Sequence, residues 1–337
     1  MIARVAILAL ALFGLSACNG FQSALAGDGA ESRNFLNLFA IFLITCAVMY
    51  LLVIAALLLA LWRRRRSEPE TIDNRRHHET SPQLNRALYI WGGLIALGLT
   101  ILTVTSFFTD RSNAADADDP GLSLKITANQ WWWDVEYRFA DVSKTVRTAN
   151  EIHLPVGVPA AVTLQSNDVI HSLWIPNLAG KQDLIPGRET DIHLLPRKTG
   201  LYRGQCAEFC GVQHAHMALD VTVESRSDFE RWLAAQQRPA FAPVSPLELA
   251  GYTYVTTREC SSCHNIGGTP AYGSVGPDLT HFASRRSIGA GTLPMNRGNL
   301  YGWIADPQSQ KPGNHMPVVG LEPNELHAVV AYLERLK

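Results

Sequence analysis

Residues 206–217 carry an unusual density of metal-binding side chains, in the order Cys206-Ala-Glu-Phe-Cys210-Gly-Val-Gln-His214-Ala-His-Met217. Thiolate and thioether sulfur favour copper(I), and imidazole binds copper in both oxidation states, so the set suits one-electron copper chemistry. A mononuclear blue-copper site uses a single Cys, two His and a weak axial Met. The second Cys therefore indicates two thiolates that bridge a pair of coppers, which needs one more imidazole from elsewhere in the chain. A disulfide, a zinc site and two simply buried cysteines are the alternatives.

A second pair of cysteines lies in Cys260-Ser-Ser-Cys263-His264. Cys-x-x-Cys-His is typical of covalent c-type haem attachment, in which the thiols form thioethers and the His binds iron. The sixth iron ligand is expected to be a Met, which raises the reduction potential, and Met295 and Met316 are the candidates. Zinc or a disulfide is again the alternative.

The composition limits the classes of function. The chain has 337 residues, a net charge of −1 and six cysteines, four of which form the two close pairs. The length allows two domains and membrane segments, and the charge gives no reason to expect a nucleic-acid partner. Paired cysteines of this kind indicate metal or cofactor sites rather than a disulfide framework.

The first residues read as a secretory signal, with a short basic start and an apolar run over 5–15. The run is too short to span a bilayer. Leu15-Ser-Ala-Cys18 resembles a bacterial lipoprotein processing box, which predicts a signal peptide at 1–17 and lipidation of Cys18. Ordinary signal cleavage and a retained segment are the alternatives.

Two uncharged stretches, 35–62 and 87–109, are each long enough to cross the roughly 30 Å hydrocarbon core. The segment between them, 63–86, begins with four consecutive arginines and is therefore predicted to be cytoplasmic. Both ends of the chain are then exported.

The elements that must hold the candidate ligands are of two kinds. Short β-type runs punctuated by Pro and Gly predict an antiparallel sandwich over 110–224, and His171 follows one apolar run as a candidate for the missing imidazole. The predicted strands cover 122–126, 152–154, 161–164, 190–194 and 219–223. Residues 225–246 combine a helical patch at 227–237 with three closely spaced prolines and are predicted to be a linker. Helices are predicted over 246–260, 299–305 and 322–336.

Taken together, these motifs resemble subunit II of a haem–copper oxidase with cytochrome c fused to its C-terminus, often called the caa type. The resemblance rests on Cys-x3-Cys-x3-His-x2-Met, on Asp168-Val-Ile-His171-Ser, and on Lys311-Pro-Gly-Asn-His-Met316-Pro. It implies a cupredoxin-like sandwich and a class I cytochrome c domain. The implied divisions are a lipoprotein signal peptide (1–17), an exported segment (18–34), transmembrane helices (35–62 and 87–109), a cytoplasmic loop (63–86), a copper-A domain (110–224), a linker (225–246) and a cytochrome c domain (247–337).

The resemblance also implies roles for individual residues. The copper-A ligands would be His171, Cys206, Cys210, His214, Met217 and the backbone carbonyl of Glu208. The Glu208 side chain would reach a magnesium ion shared with the catalytic subunit, Trp131 would be the surface point at which an electron enters, and Met316 would be the sixth ligand of a haem attached at Cys260 and Cys263, with His264 as the fifth.

The implied function is electron transfer in a bacterial plasma-membrane oxidase, an oxidoreductase and proton-translocating complex. The partners would be the catalytic subunit I, which reduces dioxygen, other oxidase subunits, and cytochrome c or another exported donor. The acid that the family often has near the start of its second span is absent from Leu88-Tyr-Ile-Trp91, so a proton-uptake role does not carry over. The alternatives are the electron-accepting subunit of a copper-A nitric oxide reductase and a membrane-tethered copper-binding protein.

Overall fold

The computed structural model describes residues 20–66, 82–115 and 121–337. They form two units: residues 33–66 with 82–115, and residues 20–32 with 121–337. The predicted signal peptide, the lipidation site Cys18 and residues 67–81 of the predicted cytoplasmic loop lie outside the described residues.

Two long apolar helices make up the first unit, α1 (Ala30–Arg66, whose first residues belong to the second unit) and α2 (Pro82–Ala115). They contain candidate spans of 34 and 32 residues, enough to cross a bilayer at ~1.5 Å rise per residue. Near one end of the pair, Asn34 Nδ2 donates to Asn113 Oδ1 at 2.7 Å. Threonine hydroxyls of α2 donate to carbonyls one turn earlier, as at Thr103 and Thr105. Such internal pairing is what a lipid environment requires of polar groups.

The sandwich consists of two five-stranded sheets, ordered β3-β2-β1-β5-β8 and β4-β10-β9-β6-β7. Neighbouring strands are antiparallel except β1 with β5 and β4 with β10, which are parallel. The strands are β1 (Leu122–Asn129), β2 (Trp132–Arg138), β3 (Val146–Ala149), β4 (Glu151–Pro155), β5 (Ala160–Ser166), β6 (His171–Trp174), β7 (Lys181–Leu184), β8 (Thr190–Leu194), β9 (Gly200–Cys206) and β10 (Ala218–Glu224). All five predicted strands are confirmed; β2, β3, β6, β7 and β9 were not predicted.

Alternation of buried and exposed side chains explains the core. Along β2, Trp133, Val135 and Tyr137 point inward and are fully buried, while the residues between them are charged. Burial of a large aromatic side chain stabilises a fold by about 2–3 kcal/mol. Of the three adjacent tryptophans at 131–133, Trp133 is therefore fully enclosed in the core.

Helix α3 (Arg226–Gln236) occupies the first half of the predicted linker and packs on the sandwich. Its Trp232 ring stacks on His153 at a centroid distance of 4.1 Å, and Phe229 lies in the same core. The part of 225–246 without regular structure is therefore limited to 237–245.

The C-terminal part is helical around its own core. It contains α4 (Pro246–Thr257), α5 (Glu259–Cys263), α6 (Arg297–Ala305), α7 (Pro307–Gln310) and α8 (Pro323–Leu333), with a two-residue ladder of β11 (Ser287–Ile288) and β12 (Leu293–Pro294). Ser245 and Glu248 form a reciprocal capping box that begins α4. Gly251 allows α4 to touch α8, since a Cβ there would lie 2.0 Å from Ala328 O. The three predicted helices are confirmed, with ends that differ by a few residues and a break between α4 and α5.

Candidate copper and haem sites

Pairing of β6 with β9 brings the first two candidate copper ligands together. β6 begins at His171, β9 ends at Cys206, and Leu173 lies opposite Cys206 in the antiparallel register. The chain then forms the loop that holds the remaining candidates before it returns as β10. His171, Cys206 and Cys210 are buried, and their ligand atoms lie within 4.8 Å of one another.

Each thiol has its own set of neighbouring donor atoms. Cys206 Sγ lies 3.7 Å from Cys210 Sγ, 3.8 Å from His171 Nδ1 and 3.2 Å from Glu208 O, and Cys210 Sγ lies 3.7 Å from His214 Nδ1 and 3.9 Å from Met217 Sδ. A disulfide requires about 2.05 Å between sulfurs, so the two thiols are free. Zinc in structural sites takes four N, S or carboxylate ligands, whereas this set includes a thioether and a peptide carbonyl. Two thiolates, each with one imidazole, fit a pair of coppers better.

The His171 ring is fixed from its far side. Its Nε2 lies 2.7 Å from Asp168 Oδ1, and the other oxygen of this carboxylate accepts from Gln130 N at 2.6 Å. With Nε2 donating, Nδ1 is the nitrogen available to a metal. Burial opposes the charged forms, but the hydrogen bond between the pair raises the pKa of His171 and lowers that of Asp168. The positioning role of Asp168 was not predicted. A carboxylate three residues before the candidate ligand His171 is the sequence feature that could have indicated it.

The pKa values of the two thiols are shifted in opposite directions. Hydrogen bonding from Cys210 lowers the pKa of Cys206 to about 3, with His171 contributing to the shift. The pKa of Cys210 is raised, because a second thiolate beside the first is disfavoured and burial adds to this. The first thiolate therefore forms readily, and a metal is needed to stabilise the second.

The loop backbone is held by residues that precede β2. The Cys210 carbonyl accepts from Trp131 Nε1 at 2.9 Å and from Gln130 Nε2 at 2.8 Å. Gly211 follows with φ 114°, and a Cβ there would lie 2.9 Å from Trp131 Cζ2. Only glycine accommodates both the backbone angle and the indole.

Glu208 presents two groups to different neighbours. Its carbonyl lies beside Cys206 Sγ, whereas its carboxylate is partly exposed and lies 3.6 Å from Lys181 Nζ. The carbonyl position fits the predicted ligand set. The magnesium role of the carboxylate stays a prediction.

The haem motif lies on the wall of a cavity of about 310 Å³. Cys260 and Cys263 are in α5, and His264 follows directly with Nδ1 2.7 Å from Pro277 O. Because this contact engages Nδ1, Nε2 is the nitrogen available to iron. Burial lowers the pKa of His264, which favours the neutral imidazole. Burial also raises the pKa of Cys260 to about 11.

Met316 lies on the cavity wall with both cysteines and His264. Its amide donates to Asn314 Oδ1 at 2.8 Å, and its carbonyl accepts from Gln308 Nε2 at 2.9 Å. Met295 instead packs against the helical core and is not among the described residues that line the cavity. The cavity thus offers the thiols of Cys260 and Cys263, the imidazole of His264 and the thioether of Met316 within mainly apolar walls, a donor set that fits a c-type haem.

Residues of the sandwich also line this cavity, among them Gln130, Trp131 and Asp168. Trp131 is only 7% exposed, and its ring centroid lies 6.0 Å from that of His315. The prediction that Trp131 lies at a surface is wrong in this arrangement, because the helical domain covers it. His315, an exposed residue of the haem-ligand motif, lines the cavity beside Trp131.

The fold and these sites define an electron-transfer protein with a copper-binding sandwich and a c-type cytochrome domain. Family models agree: that of the periplasmic domain of cytochrome c oxidase subunit II matches residues 122–225, and that of cytochrome c matches residues 249–337. The sequence is 30% identical to cytochrome c oxidase subunit 2 of Alkalihalophilus pseudofirmus, over 97% of this chain and 95% of the relative. It is 28% identical to the same subunit of Bacillus subtilis, over 99% of this chain and 97% of the relative.

The crystal structure of the periplasmic domain of subunit II of cytochrome oxidase from Bradyrhizobium japonicum covers 36% of this chain and 96% of that one, with 29% identity and a TM-score of 0.34. From the sequence relationships, the chain belongs to the cytochrome c oxidase subunit 2 family. It is a subunit of an oxidoreductase complex, and its two domains imply copper A and haem c.

Proposed function

We propose that the chain is the electron-transfer subunit of a terminal respiratory oxidase. Electrons from an exported donor pass by way of haem c to the copper pair and on to the haem–copper catalytic subunit, which reduces dioxygen to water. One observation supports transfer between the two sites: Trp131 lines the haem cavity, and its indole N–H donates to the Cys210 carbonyl. A single side chain therefore contacts both sites.

The residues of the chain hold the two groups, and the bound metals supply one-electron chemistry. Cys206, Cys210, His214, Met217, His171 and the Glu208 carbonyl are the proposed copper ligands, and Cys260, Cys263, His264 and Met316 are the proposed haem ligands. Ligands placed at strand ends and in a loop tied down at both sides move little, which suits fast electron transfer. The Asp168 carboxylate keeps the His171 ring in one orientation.

Trp131 has an internal role in this proposal rather than the role of a surface electron acceptor. Because the helical domain covers it, an exported donor meets the cytochrome domain first, and Trp131 passes the electron onward inside the chain. Tethering the two domains replaces a bimolecular encounter by an intramolecular one.

The proposed location is the bacterial plasma membrane, with both metal domains on the exported side. The two apolar helices and the match to a periplasmic domain support this placement. The divisions at 1–17, 18–34, 63–86, 110–224, 225–246 and 247–337, the lipid on Cys18 and the magnesium contact of Glu208 belong to the same proposal. So do cytochrome c as donor and proton translocation by the complex.

Purification of the complex from the native membrane tests the proposal. We expect a large multi-span subunit to co-purify, with two coppers and one haem c per copy of this chain and turnover of dioxygen. Turnover of nitric oxide without dioxygen reduction, or isolation of the chain without a catalytic subunit, would contradict it.

A further inference from the structure

The side chain of Lys311 is buried between the two metal domains. It belongs to the cytochrome domain, is 2% exposed, and its Nζ donates to Trp131 O at 2.9 Å, His216 O at 2.8 Å and Gly289 O at 2.7 Å. An ammonium group has three N–H donors, so all three are used. Two of the acceptors, Trp131 O and His216 O, belong to the copper domain, and the third, Gly289 O, belongs to the cytochrome domain. The three carbonyls meet only where the two domains are in contact.

Burial lowers the pKa of Lys311 to about 7, whereas the three carbonyls favour the protonated form, which alone offers three N–H groups. Withdrawal of the copper domain would remove two of these three acceptors, the carbonyls of Trp131 and His216. The full set of three acceptors is present only in the docked arrangement.

Further polar contacts continue on both sides of Lys311. Gln213 Nε2 donates to Pro312 O at 2.7 Å, and the Ala218 amide donates to Ala290 O at 3.0 Å. At the next position along the strand face, Ser287 Oγ donates to Asp220 Oδ2 at 2.6 Å. The copper-domain partners in these contacts, Gln213, Ala218 and Asp220, lie at the end of the loop that holds the proposed copper ligands and at the start of β10.

A buried ion pair closes the far end of this face. Arg285 Nε of the cytochrome domain lies 3.7 Å from Glu151 Oε1 of β4, and both side chains are at least nine-tenths buried. Neither charged side chain is exposed, so the two surfaces exclude water around this pair. The contact is thus a built interface rather than a loose encounter.

The connector 237–245 is hydrogen-bonded to the cytochrome domain. The Ala240 amide donates to Gly267 O at 2.9 Å, and the Arg238 carbonyl lies 3.0 Å from His281 Nε2. Little slack remains for the cytochrome domain to swing away while these contacts persist.

We propose that Lys311 is a positioning residue that locks the cytochrome domain onto the copper domain, so that the face around Trp131 is permanently occupied by this chain itself and is closed to an exported donor. The purpose of the docking, electron transfer from haem c to copper, rests on the proposed function. The docking itself does not.

The test uses the full chain in its purified complex, with Lys311→Met as the main variant. Methionine keeps the length of the side chain but donates no hydrogen bond. Hydrogen exchange of the Ala218 amide reports docking, because its acceptor is in the other domain. We expect exchange at least about tenfold faster than in the parent, since three bonds from a charged donor are lost. We also expect slower haem-to-copper electron transfer, with the absorption bands of both centres unchanged.

Two further variants keep the test decisive. Ser287→Asp places a carboxylate against Asp220, and it should loosen the same face without touching Lys311 or any proposed ligand. Lys198→Met removes an exposed lysine of the copper domain and should change neither readout. If the Lys311→Met variant fails to assemble into the complex, the Ser287→Asp variant alone tests whether the interface controls Ala218 exchange and electron transfer.

Unchanged Ala218 exchange and unchanged transfer in both interface variants would overturn the proposal. A parent complex that shows interface-dependent Ala218 exchange but no haem-to-copper transfer would instead refute the proposed function and leave the docking intact.

Discussion

Replacement of Gly276 by alanine should disturb the haem site through one steric contact. Gly276 packs against the His264 ring, and a Cβ there would lie 2.7 Å from Cε1 and 2.9 Å from Nδ1. The Gly276 amide is itself fixed, since it donates to Cys263 O at 2.8 Å. Real Cβ atoms do not approach other atoms this closely, so either the backbone or the imidazole must move.

The magnitudes indicate that the imidazole moves. Overpacking a buried site costs about 1–3 kcal/mol, whereas the hydrogen bond that holds the ring, from Nδ1 to Pro277 O, contributes about 1 kcal/mol. The steric cost therefore meets or exceeds the contribution of the hydrogen bond that orients His264. We expect Gly276→Ala to lower stability by about 1–3 kcal/mol and to misalign the histidine, while the cysteines still attach haem.

The assay compares Gly276→Ala with Gly302→Ala in the haem-loaded full chain. At Gly302, in α6, the nearest atom to an added Cβ is Gln310 Nε2 at 3.7 Å, an ordinary contact. This control should be neutral or more stable by up to about 1 kcal/mol, because alanine is the better helix former. Thermal unfolding and the visible and near-infrared spectra are the measurements. Parent-like spectra and stability in Gly276→Ala would refute the assignment of His264 as a tightly packed iron ligand.

Three further outcomes are expected. Met316→Ala should abolish the near-infrared sulfur-to-iron band, and loss of the band in Met295→Ala alone would reverse the ligand assignment. Trp131→Phe should keep the copper spectrum, cost at least about 1 kcal/mol of stability for one lost hydrogen bond and the lost packing of a buried indole, and slow haem-to-copper transfer; an unchanged rate would exclude the indole from the path. Although burial alone would lower the pKa of His153, hydrogen bonds and charges from Glu151 and Glu224 raise it to about 8. The resulting stability, about 2 kcal/mol, is present below pH 6.5 and lost as pH rises through about 8, so the fall in thermal midpoint over this range should vanish in His153→Gln.

Local chemistry made much of the copper and haem sites predictable. The spacing from Cys206 to Met217 and the Cys-x-x-Cys-His motif each place their donor atoms within a few residues, so the fold has little freedom to separate them. His171 is different, because only the β6–β9 register brings it to Cys206. Its prediction depended on the family resemblance.

Two of the unpredicted strands, β7 and β9, lack a strand pattern for a physical reason. β7 reads Lys-Gln-Asp-Leu and lies at a sheet edge, and β9 contains two glycines and a Cys, so neither shows the β-branched alternation that marks a strand. Their pairing comes from the sheet around them.

The junction between the domains could not be predicted from local patterns. Lys311 and His315 read as parts of a haem-ligand motif, and Trp131 as one of three adjacent tryptophans. The burial of Lys311 and Trp131, and the contact of Trp131 with His315, depend on how one domain packs on another, which involves positions about 180 residues apart in the chain.

The most direct test of the account is flash-induced electron transfer in the purified complex with the exported donor absent. Oxidation of the catalytic subunit should be followed by oxidation of haem c, with electrons reaching the copper pair in an intramolecular phase whose rate does not depend on protein concentration. Haem c that stays reduced while the copper pair is oxidised, or that reacts only in proportion to concentration, would contradict the account.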